Sequence, residues 1–230
     1  MAWAAVALFL TGAGGLLLEL TWARALGLAL GLSVGTQALA VAAFVGGNGA
    51  GAALAGRLVS LKKGRPWEAA RLLALLTLLG SLGVYPLLAW MGRPEAPSWA
   101  RVAGVSLLPV FLAALLGGGV TPLVLSASAA EGEARRAGFL LGWNLLGSLA
   151  GALAGGAWLI PLAGCRLSGW IGAGAYGAAG FLLFLGRPPG SRTGERPPPG
   201  AWSGRASLDL RALLPGIFLA GFAALGLETL

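Results

Sequence analysis

The sequence of 230 residues is 57% hydrophobic and only 10% charged, whereas soluble domains carry about 25% charged residues. So few charges exclude a soluble globular domain and predict an all-α protein whose solvent is lipid, with its 40 glycines at close helix–helix contacts. The single Cys and the absence of His exclude a disulfide within the chain and argue against a zinc site or His-based catalysis. The net charge of +8 falls between apolar segments, which indicates orientation in a bilayer rather than nucleic-acid binding.

Six membrane spans are predicted in the first 186 residues. The apolar segment 2–56 is too long for one span and long enough for two, because about 20 apolar residues cross a bilayer as a helix. We expect its turn at residues 31–37, and a basic cluster follows at 57–65. The later spans are predicted at residues 69–91, 102–126, 137–162 and 169–185, with a tight break at 163–168 between the last two.

The C-terminal part of the chain changes character. Residues 187–211 are rich in Pro, Gly, Ser and Arg, which is typical of a flexible linker. A new apolar run follows at residues 212–230. We therefore predict a polytopic bundle of about six transmembrane helices at 1–186, a cytoplasmic linker at 187–211, and the start of a seventh helix at 212–230.

That last segment repeats the beginning of the chain. The pattern from Phe9 to Glu19 recurs 209 residues later, from Phe218 to Glu228. The matching Glu carries most weight, because an acid within an apolar helix is expensive and rare. We interpret residues 212–230 as the first helix of a truncated second repeat. The chain is then expected to be a fragment of a longer protein, or a protein that ends unusually.

A second, weaker sequence repeat lies within the predicted bundle. At an offset of 100 residues, Gly47 and Gly51 match Gly147 and Gly151. This match relates helix two to helix five, as in the three-plus-three arrangement of secondary transporters, with chance similarity among small residues as the alternative. Gly155 continues the four-residue spacing, which predicts a close-approach ridge on helix five.

The placement of Lys and Arg predicts the orientation of the bundle. With the N-terminus inside, twelve of the 16 basic residues fall on the inner segments and four on the outer side. We therefore predict a multi-pass protein of the cell inner membrane. Its N-terminus and the linker at 187–211 are expected to face the cytoplasm.

The first helix carries a Gly-rich stretch that ends in Glu19-x-x-Trp22-x-Arg24. In this feature it resembles the membrane domain of the fused, major-facilitator-like spermidine synthase proteins. The resemblance covers nearly the whole chain outside the linker and implies the N-terminal six-helix half of a major-facilitator-like bundle. Its further matches are residues 44–57, 144–151, 155 and 161–164.

In full-length members of that family, an aminopropyltransferase-like domain follows the membrane part. Such a domain needs a strand, a Gly-rich turn and an acidic residue that holds the nucleoside. Here the glycines lie within apolar segments, and Asp209 is the single aspartate. We therefore expect that this chain by itself is not an enzyme and binds no cofactor or metal. Its expected partners are the lipid bilayer and a second half-bundle or catalytic domain of a longer protein, with no nucleic acid.

The candidate substrate-binding residues are Glu19, Trp22, Arg24, Asn144 and Glu228. Glu19 is predicted near the middle of the bilayer, where it binds a cation or a proton, stays protonated, or pairs structurally with an Arg. Arg24 lies roughly 140° around the helix from it, so a partner on another helix is expected. The alternatives are an interfacial aromatic for Trp22, a snorkelling base for Arg24 and an interhelical hydrogen bond for Asn144.

Two functions stay open at this point. One is a transport-type module that handles polyamines or other cations, or couples to protons, with Glu19 and Glu228 facing each other across a central cavity closed by the second half. The other is a non-transporting membrane anchor or platform for an aminopropyltransferase-like domain. Hydrated acids in a cavity favour the first function, and a dry, tightly packed centre around Glu19 favours the second.

Overall fold

The structure, a computed structural model, describes residues 2–31, 33–61, 66–91, 99–129 and 134–186. All regular structure within these residues is helical. The linker predicted at 187–211 and the helix predicted at 212–230, with Glu228, lie outside the described residues. The helices are α1 (Ala2–Leu30), α2 (Val34–Leu61), α3 (Pro66–Met91), α4 (Trp99–Ala129), α5 (Ala134–Ala154), a π-helical turn (Gly155–Leu159) and α6 (Ile160–Leu185).

Four helical stretches in the described part of the chain are long and apolar enough to cross a membrane. They are Ala2–Leu28, Val34–Arg57, Val110–Ala127 and Ala137–Leu185. The fourth has 49 residues, and a straight helix of that length would measure about 73 Å, against a hydrocarbon core of about 30 Å. The stretch therefore needs a change of direction to fit within a bilayer.

Gly164 supplies that change of direction. Its φ of 75° and ψ of 168° are not helical, and a side chain is rarely tolerated in this conformation. The predicted break at residues 163–168 thus has its physical cause in one residue. Around this break, α5, the π-helical turn and α6 follow one another without a connecting loop, so the change of direction lies within one continuous helical stretch.

Two pairs of helices run parallel and approach closely through glycine. On α5, Gly147 lies against the backbone of Phe9 and Gly151 against the backbone of Ala13. Residue numbers rise together along α1 and α5, so the two helices run in the same direction. Gly155 lies against the Leu17 side chain one turn further on. The predicted ridge of three glycines on helix five is confirmed.

The pair α2 and α4 repeats this arrangement. Gly47 lies against the backbone of Phe111, and Gly51 lies against the backbone of Leu115. A Cβ atom added at either glycine would overlap a backbone oxygen of α4. These helices are therefore parallel as well, and only glycine allows their backbones to come so close.

The remaining large contacts are antiparallel. Helix α1 crosses α6, with Gly14 against Tyr176 and Leu18 against Gly172. Helix α3 packs against both α4 and α6, and its contacts are Leu73 with Gly119, Gly80 with Ala113, Leu78 with Gly177 and Leu75 with Gly180. Successive helices consequently alternate in direction. The beginnings of α1, α3 and α5 and the ends of α2, α4 and α6 lie at the same end of the bundle.

Arg71 ties two of these helix ends together. It lies near the start of α3 and donates from Nε to the carbonyl oxygen of Leu183 and from a terminal nitrogen to that of Gly186, at 2.8 Å. Its guanidinium also lies 5.4 Å from the centre of the Phe184 ring. The last carbonyls of a helix lack partners within the helix, so Arg71 satisfies two acceptors at the end of α6.

The core and the outer surface are both apolar. Among the described residues, Trp22 is the largest fully buried side chain, and it packs in one core cluster with Leu18, Leu26 and Phe44. Large apolar side chains are also exposed on the outside of α5, where Leu149 is 56% accessible. A soluble protein rarely exposes so many large apolar side chains, whereas contact with lipid tails explains them.

Candidate functional site

A cleft of about 310 Å³ opens between the two close helix pairs. It is lined by residues of α1, α2, α4 and α5, with Tyr176 contributed by α6. None of the described residues that line it carries a charge. Its polar side chains are Thr11, Asn48, Thr121, Asn144, Ser148 and Tyr176.

Asn144 joins α5 to α1 at one wall of the cleft. Its Nδ2 donates to the carbonyl oxygen of Leu8 at 3.0 Å and to Oγ1 of Thr11 at 3.3 Å. This is the interhelical hydrogen bond named above as the alternative to substrate binding. Both bonds use the amide nitrogen, and within the described part of the chain the side-chain oxygen of Asn144 has no hydrogen bond.

Asn48 occupies a similar position on α2. Its Nδ2 donates to the carbonyl oxygen of Phe44 on its own helix, at 3.0 Å. Its side-chain oxygen, like that of Asn144, has no hydrogen bond to any described residue. An amide oxygen accepts up to two hydrogen bonds, so each Asn keeps an acceptor for another molecule.

Tyr176 is the residue that the sequence analysis missed. Its side chain is only 5% exposed, and its hydroxyl lies between Gly15 of α1 and Gly117 of α4, 3.1 and 2.8 Å from where their Cβ atoms would be. Both glycines line the cleft together with Tyr176. The hydroxyl has no hydrogen bond to the residues that the structure describes. A buried phenol usually finds a partner, so this one marks a place where a ligand or water can bind.

A signal for Tyr176 was present in the sequence. The chain has only two Tyr, and Tyr176 stands in a segment of α6 made almost entirely of Gly and Ala. One large aromatic with a polar end among small residues fits a gap between other helices. The gap itself depends on Gly15 and Gly117, which lie about a hundred residues apart, so it could not be seen before the helices were placed.

The structure separates the other candidate residues from the cleft. Glu19 is half-buried on α1, and neither it nor the exposed Arg24 is among the described residues that line the cleft. Trp22 is 1% exposed, and its ring meets the Phe44 ring edge to face at 6.0 Å. Helix α1 continues to Leu30, so Trp22 is a core residue.

Trp22 is linked to the cleft only indirectly. Its ring supports Phe44, which is itself a lining residue. The indole Nε1 is buried and has no hydrogen-bond partner among the described residues. An N–H without a hydrogen bond is costly to bury. Trp22 therefore shapes the cleft and does not contribute a group to it.

The long apolar helices and the uncharged polar cleft define an α-helical membrane protein with a small polar cleft between its helices. Comparison with protein families, with curated proteins and with solved structures finds no match in any of the three.

Proposed function

We propose that the chain is a transport-type module of the inner membrane, and that the cleft between α1, α2, α4 and α5 is part of its solute-binding site. The observation that carries this proposal is a set of hydroxyls and amide oxygens that line the cleft and have no hydrogen bond to any described residue, inside a bundle of membrane-length helices. Polar groups in an apolar environment destabilise a fold unless they bind one another, water or a ligand. A solute passing through the bundle would give these groups a function.

The internal symmetry of the bundle supports this proposal. Gly47 and Gly51 of α2 contact α4 as Gly147 and Gly151 of α5 contact α1. If α1, α2 and α3 correspond to α4, α5 and α6, the contact of α2 with α4 corresponds to the contact of α5 with α1. Repeats of this kind, with a binding site between them, are typical of secondary transporters. We accordingly propose six membrane crossings and a half-bundle of the major-facilitator type, which a second half would complete.

Charge supports the proposed orientation. Because the helices alternate in direction, the end of α2 with Arg57 and the start of α3 with Arg71 lie at the same end of the bundle as the start of α1. Cytoplasmic loops of membrane proteins carry an excess of Lys and Arg. We propose that this end and the N-terminus face the cytoplasm. Labelling of a cysteine placed at residue 195 by an impermeant reagent outside intact cells would contradict this orientation.

The resemblance to spermidine synthase-like membrane domains adds a proposal about charge. In this form of the transport proposal, polyamines, other cations or protons bind at Glu19, and Glu228 is the corresponding acid of a second half. It predicts that Glu19→Gln lowers polyamine binding or changes the pH dependence of uptake. Unchanged binding and uptake, with normal expression, would contradict it. We propose no catalytic activity for this chain on its own.

A non-transporting platform for an aminopropyltransferase-like domain is the second candidate. The close backbone contacts of α1 with α5 and of α2 with α4 favour it, because such packing suits a rigid scaffold. The two candidates differ in whether water reaches the cleft. A transport module needs a hydrated cleft, whereas a platform needs none.

Cysteine accessibility distinguishes these candidates. In a Cys165→Ser background, Thr121→Cys places a thiol on the cleft and Leu149→Cys places one on the outer face of α5. We expect a membrane-impermeant, water-soluble thiol reagent to modify Thr121→Cys in proteoliposomes with randomly inserted protein, while lipid protects Leu149→Cys. Equal protection of both thiols would overturn the transport proposal and leave the platform.

A further inference from the structure

The groups in the cleft indicate what kind of solute it binds. We infer that the ligand is an uncharged, polyhydroxylated solute of the polyol or monosaccharide type, rather than a polycation. This inference rests on the proposed function, because it names the substrate class for the same cleft. It is carried by the lining groups and by the position of the Tyr176 hydroxyl.

The cleft offers hydroxyls and amide oxygens together. The hydroxyls of Thr121, Ser148 and Tyr176 have no hydrogen bond within the described part of the protein. The side-chain oxygens of Asn48 and Asn144 equally have no hydrogen bond to a described residue, while Nδ2 of Asn144 makes two hydrogen bonds and Nδ2 of Asn48 makes one. A hydroxyl both donates and accepts, and an amide oxygen accepts. The ligand that matches this set carries several groups that each donate and accept hydrogen bonds, as the hydroxyls of a polyol do.

Tyr176 fixes where the ligand binds. Its side chain lies against three glycines, because a Cβ atom at Gly14 or Gly117 would come within 3.2 Å of the ring and one at Gly15 would lie 3.1 Å from the hydroxyl. The side chain is held between α1, α4 and α6 and presents its hydroxyl at the cleft. A rigidly held hydroxyl gives a hydrogen bond without losing side-chain freedom on binding. We therefore assign Tyr176 as the main anchoring residue of the ligand.

Charge argues against a polycation in this position. The described lining residues include no carboxylate, and Glu19 is not one of them. A cation among apolar helices is strongly destabilised unless an anion neutralises it. Neutral hydroxyls carry no such penalty. The lining also includes Phe44, Leu16 and Pro122, whose apolar surfaces can cover the C–H faces of a sugar or cyclic polyol.

The test compares neutral and charged probes on the purified chain in lipid nanodiscs. Binding of myo-inositol, sorbitol, glucose and spermidine is titrated by saturation-transfer NMR. We expect at least one neutral probe to bind saturably and to be displaced by another neutral probe but not by spermidine. Tyr176→Phe keeps the ring between the glycines and removes only the hydroxyl, so it should weaken binding by about 3- to 10-fold.

Two further variants keep the test decisive. Thr121→Val removes a cleft hydroxyl with little change in shape and should also weaken binding by about 3- to 10-fold. Ser126→Ala is the control on the same helix. The Ser126 hydroxyl donates to the carbonyl oxygen of Leu123 and does not line the cleft, so its removal should leave binding unchanged. Thermal unfolding of each variant shows whether it is folded, and Thr121→Val carries the test if Tyr176→Phe is not.

The possible outcomes separate this inference from the proposed function. Spermidine binding that is lost in Glu19→Gln and retained in Tyr176→Phe would overturn the polyol inference while leaving a transport module in place. The inference would also be overturned if no neutral probe bound, or if polyols bound equally well to the Tyr176→Phe and Thr121→Val variants. The cysteine experiment at Thr121 decides separately whether the proposed function survives.

Discussion

Asn144 on α5 donates its amide hydrogen to the carbonyl oxygen of Leu8 on α1, at 3.0 Å. The two residues are separated by most of the bundle in sequence and belong to helices that run side by side in the same direction. The bond lies one turn from the close contact of Gly147 with Phe9. Polar and steric features thus stabilise the same interface.

Removal of this bond should destabilise the bundle measurably. We expect Asn144→Ala to lower the free energy of unfolding by about 1 kcal/mol, in line with interhelical hydrogen bonds in membrane proteins. Asn48→Ala is the matched control, because Asn48 donates only to its own helix, and it should have a smaller effect. Reversible unfolding in mixed detergent micelles measures both, and equal losses would contradict the prediction.

The glycine contacts give a sharper prediction. Gly151→Ala places a methyl group onto the backbone of Ala13 and should destabilise the protein by about 1–3 kcal/mol through overpacking. Gly142→Ala lies on the same helix with nothing within 4 Å of the new carbon. It should be neutral or stabilise by roughly 0.5–1 kcal/mol through the helix propensity of Ala. Thermal stability in detergent compares them, and two equally stable variants would show that α5 does not approach α1 at Gly151.

Arg71 should be more sensitive than an ordinary surface Arg. Arg71→Met keeps most of the side-chain volume but removes the hydrogen bonds of the charged guanidinium to the carbonyls of Leu183 and Gly186, so we expect a loss of about 1.5–3 kcal/mol. Arg166→Met is the control, because within the described part of the chain Arg166 stacks on the Trp170 ring at 4.9 Å and makes no hydrogen bond; its loss should cost about 0.5–1 kcal/mol. Thermal unfolding would contradict the prediction if the Arg166 variant were the less stable of the two.

Gly164 offers a test of the backbone itself. Gly164→Ala forces a side chain into φ 75° and ψ 168° and should destabilise the protein by about 1–3 kcal/mol, although no atom lies near the added carbon. Gly174→Ala, on α6 and equally free of neighbours, should not destabilise it. A stability of the Gly164 variant equal to that of the Gly174 variant would mean that the break needs no glycine.

The helices were predictable from the sequence for a clear reason. Lipid requires long apolar segments, so the turn after Leu30 and the break at Gly164 fall inside the predicted ranges 31–37 and 163–168. The ends were less predictable: α3 begins at Pro66 and α4 at Trp99, each three residues before the predicted span. Helices can extend beyond the apolar core into the headgroup region, where hydropathy gives no limit.

The site was only partly predictable. Asn144 was identified because a polar residue within an apolar segment is rare, and the structure places it on the cleft. Glu19 was predicted as a binding residue for the same reason, but it is not among the residues that line the cleft. Tyr176 was missed because its importance depends on Gly15 and Gly117, which meet it only through the packing of three helices. Sequence patterns show which residues are unusual, but only the fold shows which of them meet.

The parallel pairing of α1 with α5 has a consequence for synthesis of the protein. Phe9 and its neighbour Gly147 are 138 residues apart, and chains grow at roughly 5–20 residues per second. The first helix therefore waits on the order of 7–28 s in the translocation machinery or the bilayer before its main partner is made. Helix α2 also waits for α4, so the first three helices have few of their final contacts when they are inserted. A chaperone or insertase that holds them during this interval would act on the same glycine faces that later close the bundle.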